Sequence, residues 1–463
     1  MTLRTVFCSR RVISFIQYLA KVIQRMLKAK IAYIGELEEK VRIIDFCVQP
    51  MHSLYVNSFK KAEKRVTTIG EHGFEVRVTD YGANNITNSL TSVGRTVFKS
   101  EQSRFEYLRK QEIQASKAIY QYTHRKYSTK CIESGLTNIV EAISKLQGIS
   151  NVEARFRMYR EQKIYENSYG SDKRLQLMNN SFALSYSIDN LLSDGFCEIY
   201  DADLSDISQL SDQLTYEVEK DIHFKNANCV AEGRYTCIFS PEVTGLFTHE
   251  CMGHLFEADY YKKYVAGHLQ IGSLIGPQWL NVVDDGHLRG SGYVPFDDEG
   301  SDAHNTHIVK NGVLCNLLTD IDYAGLFGNE LSSGNSRAKH PSTQNLIRMT
   351  STFMGQGKNS VKDIFAFVEH GIYIESSQGA FLRNNFYLKP RRAYLVKHGK
   401  IIKPLLVSYI SGNTYKMISN ILYASNVIEP TNSIFGGCQK KGQAHLRVSY
   451  GGPYIVVKDV YVV

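Results

Sequence analysis

The chain has 463 residues, of which 43% are hydrophobic and 22% charged. That balance excludes collagen-like, coiled-coil and wholly disordered chains, and the length predicts more than one domain. The formal charge of +8 invites a nucleic-acid or membrane partner, but residues 1–30 hold seven basic side chains (Arg4, Arg10, Arg11, Lys21, Arg25, Lys28, Lys30) and no acid, leaving 47 basic against 46 acidic in the other 433. The body is neutral, so no nucleic-acid partner is expected.

In chain order, Val12, Phe15, Ile16, Leu19, Val22, Ile23, Met26 and Leu27 recur at three-to-four spacing and predict a basic amphipathic helix. Residues 1–45 are set apart on that basis. A helix docked on the protein, contact with a membrane surface and a transit-like signal all fit the pattern. Residues 46–240 read as a mixed α/β domain: Phe74–Thr79 alternates like a strand, Asn138–Leu146 reads as a short helix, and Lys163–Ile188 as a hairpin around Tyr169-Gly-Ser-Asp172.

Glycine and proline then crowd into the remainder. Residues 241–463 contain 24 of 34 Gly and eight of nine Pro, which predicts a turn-dense, β-rich domain. Ile308–Leu314 carries the Asn-Gly pair of a tight hairpin, Tyr394–Leu405 predicts a second hairpin turning at His398-Gly399, and Tyr454–Val463 predicts a closing strand. The fold class expected is α+β, with a mixed α/β N-terminal domain followed by a β-rich domain bearing a metal-binding helix. Nine cysteines are scattered without a CxxC pair, no apolar run approaches the ~18 residues of a membrane span, and no secretory signal is evident; a cytoplasmic protein is expected.

The chemistry concentrates in Ser240–Asp259. Ser240 suits an N-cap, Pro241 the first helical position and Glu242 the positive end of a helix dipole. The helix that starts there carries His249-Glu250 and then His254, five residues apart rather than the four of His-Glu-x-x-His. At about 100° per residue, four leaves two side chains ~40° apart and five leaves them ~140° apart. Two imidazoles can share a metal ion across that angle only if the helix bulges, and a π-type turn is the usual device. Gly253 is where the backbone yields most easily.

Such a site combines a metal holder with a general base, because the carboxylate between the imidazoles can take a proton from a metal-bound water. A catalytic zinc takes a third protein ligand. Glu257, Asp259, His268 and a distant cysteine are candidates, and Cys438 stands out in a glycine-flanked loop, Phe435-Gly-Gly-Cys-Gln-Lys-Lys-Gly-Gln443, whose Lys440 and Lys441 favour a thiolate. Cys251 reads as a small core residue. His304 and His307, three apart, read as a loop or strand end, and Asp297-Asp-Glu299 as a turn.

These motifs, with Phe296-Asp-Asp-Glu-Gly300, Asn311-Gly312, Ser333-Gly-Asn335, Arg348-Met-Thr350, Tyr394–Gly399, Gly442-Gln443 and Gly451-Gly-Pro453, closely resemble the TldD/PmbA metalloproteases, or gyrase-modulator family, over about residues 160–463. The resemblance implies zinc (Zn2+) held by His249, His254 and Cys438, with Glu250 as catalytic base. It implies the zinc-bearing TldD-type subunit, working as a homodimer or as a heterodimer with a TldE/PmbA-like subunit on unfolded peptides or leader peptides. Two features depart from the family: Gln439-Lys440-Lys441 follows the cysteine where Gly-Lys is usual, and the first 70 or so residues match poorly.

The function expected is therefore zinc-dependent hydrolysis of peptide bonds, with extended peptides adding to strand edges. The alternatives are a regulatory binding protein with an inert or structural zinc, and a zinc hydrolase of small amides.

Overall fold

Burial along Asp172–Ile188 shows how the first sheet is built: Lys173, Leu175 and Leu177 turn inward while Arg174 and Gln176 face out, and from Asn179 to Leu184 every residue is buried. In the computed structural model the residues described are 38–46, 65–70, 73–78 and 117–463, with breaks at 126, 128, 168–171, 190–193, 340–344 and 383–384. The amphipathic helix expected over residues 12–27 lies outside the described residues.

Seven described strands form this sheet: β1 (Glu38–Phe46), β2 (Arg65–Gly70), β3 (Gly73–Val78), β4 (Lys117–Thr123), β5 (Ile149–Asn167), β6 (Asp172–Ile188) and β7 (Gly195–Tyr200). Their order is β3-β2-β1-β5-β6-β4, with β7 also against β6. The strand expected at Phe74 and the two expected to either side of Tyr169 are all present, and the latter are neighbours in the sheet.

Two compact units emerge from the described chain. The first comprises Arg125–Met158 and Asn180–Lys225. It holds helices α1 (Thr129–Ile143) and α2 (Ile207–Ile222), the latter capped by Asp206, whose carboxylate accepts from the Gln209 N–H at 3.0 Å. Ile132, Leu136, Ile139 and Ile143 of α1 share one core with Leu210, Leu214 and Val218 of α2. The helix expected at Asn138–Leu146 thus starts nine residues earlier, at Thr129. Gly135 hides its start in the sequence, yet serves packing: a Cβ there would come within 2.7 Å of Ile207 Cδ1.

The second unit comprises Leu37–His124, Tyr159–Asn179 and Asn226–Val463. Its further elements are β8 (Gly233–Phe239), α3 (Pro241–Thr248), β9 (Val282–Asp285), β10 (Asn305–Lys310), β11 (Val313–Leu314), β12 (Ser351–Met354), β13 (His370–Leu382), β14 (Phe386–Lys397), β15 (Lys400–Leu406), β16 (Ile410–Gly412), β17 (Glu429–Lys440), β18 (Gln443–Gly452) and β19 (Ile455–Val462). One sheet runs β11-β10-β9-β12-β18-β17. Another runs β13-β8-β19-β16-β14-β15 and closes on itself, because β13 also pairs with β14.

Both expected hairpins turn through paired left-handed residues, Asn311 (φ 52°) with Gly312 (φ 78°) and His398 (φ 48°) with Gly399 (φ 72°), the backbone a two-residue type I′ turn demands. Helix α3 packs between strands through aromatic edges, with Phe247 rings 5.9 Å from Phe239 and 5.2 Å from Phe386. Among the described residues no helix is long and apolar enough to cross a membrane.

Candidate metal centre

The centre begins at a well-made helix start. The Ser240 hydroxyl accepts from the Val243 N–H at 3.2 Å, Pro241 occupies the first turn, and the Glu242 carboxylate accepts from the Ser377 N–H at 3.0 Å. Helix α3 ends at Thr248, and His249–Gly253 continue as a π-turn in which the His254 N–H donates to the His249 carbonyl. The wider turn absorbs the fifth residue and sets the two imidazole rings 5.0 Å apart.

Gly253 plays a different part from the one its type suggested. Its φ of −72° is ordinary helix, and the Met349 side chain packs against it, with Sδ 1.9 Å from where a Cβ would lie. The observed feature at Gly253 is this close approach rather than a left-handed backbone.

Cys438 arrives from 184 residues away. Its segment is not the loop expected but strand β17, paired with β18 through register shifts on either side of the cysteine, with Gly437 at φ 61°. Such a bulge re-aims a side chain next to a site. The hairpin turns at Lys441 (φ 47°) and Gly442 (φ 82°). Buried Arg348 holds it, donating to the carbonyls of Cys438 at 2.7 Å and Gln443 at 3.4 Å. Arg348 drew no individual role from the sequence; its place in the Arg-Met-Thr motif was the only signal.

Cys438 Sγ lies 3.2 Å from His254 Nε2, and donor atoms of His249, His254 and Cys438 all fall within 4.8 Å of one another. Two donors on a tetrahedral zinc stand about 3.4–3.6 Å apart, given bonds of ~2.0–2.3 Å. Among the described residues, buried His249 Nδ1 has no hydrogen-bond partner. Two imidazoles and a thiolate suit zinc, and three protein donors are the catalytic pattern. The residues present fit the metal.

Charge is arranged accordingly. Burial pushes the Cys438 thiol up, but His254 and His249 outweigh it and hold the sulfur well below its ordinary range. Burial alone would lower His254; Cys438 and Glu257 overcome it and raise the imidazole well above its usual value. Half-buried Glu250 is raised chiefly by burial, against the pull of His254 and His249. A carboxylate poised above its solution range suits a group that takes and returns a proton.

The other candidate ligands stand elsewhere. Glu257 is fully buried behind His254, its Oε2 3.0 Å from His254 Nδ1 and 2.9 Å from Lys440 Nζ. Asp259 pairs with Lys440 at 2.6 Å and Lys441 at 2.9 Å, so the lysines that follow the cysteine face carboxylates rather than the sulfur. His268 is exposed, with Nε2 2.9 Å from the Tyr415 hydroxyl. Asp297 shapes a turn, accepting from the Glu299 N–H at 2.9 Å and the Ser301 N–H at 3.0 Å. His307 sits in β10, and Cys251 is a buried core residue.

Comparison with known proteins places residues 232–463 in a match to the PmbA/TldA metallopeptidase C-terminal domain. A metalloprotease of Synechocystis is 34% identical over 49% of this chain and 50% of its own length. A zinc metalloprotease TldD homologue of Saccharolobus solfataricus is 34% identical over 57% of this chain and 58% of its own. The chain thus spans little more than half the length of these relatives. A Thermotoga maritima structure described as a candidate modulator of a DNA gyrase superposes with a TM-score of 0.56 at 16% identity, covering 86% of this chain and 88% of that one. Thermococcus kodakarensis TldE superposes at 0.50 with 21% identity, covering 64% and 65%.

Proposed function

For a chain that belongs to the TldD/PmbA metallopeptidase family, we propose a zinc-dependent hydrolase of peptide bonds, with His249, His254 and Cys438 as metal donors and Glu250 as general base. The observation that carries the reading is the convergence of those three donors within 4.8 Å, beside a carboxylate whose proton affinity is raised. Zinc at these donors would polarise the scissile carbonyl and acidify water. Glu250 takes the proton from the attacking water and returns it to the leaving amine.

The substrates proposed are unfolded or leader peptides. Strand addition of an extended chain to a sheet edge is the binding mode proposed for them, and β17, the last strand of its sheet among the described residues, carries Cys438. Fold likeness to TldE supports a second subunit, either another copy or a TldE/PmbA-like chain. A cytoplasmic location is proposed with it, on the scatter of nine cysteines without a CxxC pair.

The test is mass spectrometry of unfolded peptides incubated with purified protein of measured zinc content. Glu250→Ala should keep the metal and lose cleavage; normal cleavage by that variant removes Glu250 from the mechanism, and full activity in metal-free protein removes the mechanism itself.

A further inference from the structure

Between the two segments that meet at the metal centre lies a second layer of charge that the proposed reaction does not use. Glu257 is fully buried, and one of its oxygens, Oε2, serves both His254 Nδ1 at 3.0 Å and Lys440 Nζ at 2.9 Å. Lys440 is itself fixed, donating to the Ile347 carbonyl at 2.9 Å and pairing with Asp259 at 2.6 Å. We propose that Glu257 and Lys440 form a positioning relay for the metal centre, in which Lys440 holds the Glu257 carboxylate in place, and Glu257 holds the His254 ring with Nε2 turned toward Cys438. The inference rests on the reading of His249, His254 and Cys438 as metal donors.

An ionised carboxylate only accepts hydrogen bonds, so the nitrogen facing Glu257 carries the proton. Nδ1–H then leaves the lone pair on Nε2, the atom 3.2 Å from Cys438 Sγ. Lys440 is the cation paired with this fully buried carboxylate, at 2.9 Å. Lys440 stands two residues beyond Cys438 on β17. The same strand therefore delivers the thiolate and the clamp that orients the opposing imidazole. The two ligand segments are coupled: neither His254 nor Cys438 is fully placed until β17 docks. Outer partners of metal-bound imidazoles act in this way, and their loss costs roughly 10–100-fold in metal affinity.

The test uses the full chain as Glu257→Gln, Lys440→Met, the two combined, and Lys440→Arg. Zinc affinity is read by competition with a chromophoric chelator, and ligand geometry by the absorption bands of the cobalt-substituted protein. Each single variant should lose roughly 10–100-fold in affinity, the double variant no more than the weaker single, and Lys440→Arg should recover most of the loss. The cobalt bands should shift in Glu257→Gln. Wild-type affinity in both single variants overturns the relay, as does a double variant whose loss is the product of the two singles. If Glu257→Gln fails to fold, the lysine pair decides: loss in Lys440→Met with recovery in Lys440→Arg supports the relay, and no loss in Lys440→Met overturns it. A wild type that binds zinc no better than His249→Ala overturns the metal-centre reading beneath it, and is recognised by that control alone.

Discussion

Glu250 and Glu257 lie within one short segment, yet their surroundings differ. Glu250 is half-buried with its proton affinity raised by burial, whereas Glu257 is sealed against a lysine and an imidazole. Environment, not residue type, assigns such roles. Glu250→Gln should therefore reduce peptide turnover by roughly 10²–10⁴-fold while zinc content stays at the wild-type level; equal loss of zinc would make Glu250 a structural group. A second carboxyl, Asp320, titrates within a group of buried acids that includes Asp322 and Asp297. Asp320 accepts from the Tyr323 N–H at 2.8 Å to cap the helix Ile321–Leu326, and burial, then Asp322, pushes its pKa up to about 7. A carboxyl raised above its unfolded value of ~3.9 favours the fold below that pH and loses the contribution as pH rises through the folded value. Asp320→Asn keeps the cap and removes the titration. Its melting temperature should rise relative to wild type between about pH 4 and about pH 8, and a constant difference would contradict this.

At the scale of elements, α3 and its π-turn are held by close backbone approaches. Gly245 faces Gly451, and a Cβ would come within 2.6 Å of the Gly451 Cα and 2.7 Å of its nitrogen. Alanine is the better helix former by ~1 kcal/mol, but overpacking against a backbone that cannot yield costs about 1–3 kcal/mol. Gly245→Ala should lower the urea midpoint; an unchanged or higher midpoint would show that the helix can move off β18. Which elements were legible in the sequence follows from the same physics. Asn311-Gly312 and His398-Gly399 announce left-handed turns, and a histidine spacing of five announces a widened helix. Lys441-Gly442 makes the same kind of turn, but lysine is a poor signal for positive φ, and Gly436-Gly437 interrupts the alternation of β17, so a strand read as a loop. The grouping of His249, His254 and Cys438 was legible through residue type and the family resemblance. The pairing of Glu257 with Lys440 was not, because it depends on a fold that brings together positions far apart in sequence.

On the scale of the whole molecule, the charge excess and the metal centre occupy different parts of the chain. The excess lies almost wholly in residues 1–30, whereas the family match covers 232–463. Removing residues 1–30 should leave metal content unchanged, measured by elemental analysis of the truncated protein; loss of metal would tie that segment to the centre. The central claim is that three side chains from two distant segments hold one zinc ion, and the most direct measurement is the zinc content of purified wild-type protein beside Cys438→Ala. One zinc per chain in the wild type and next to none in the variant is the outcome predicted. Equal zinc in both, or none in an active wild type, would contradict it.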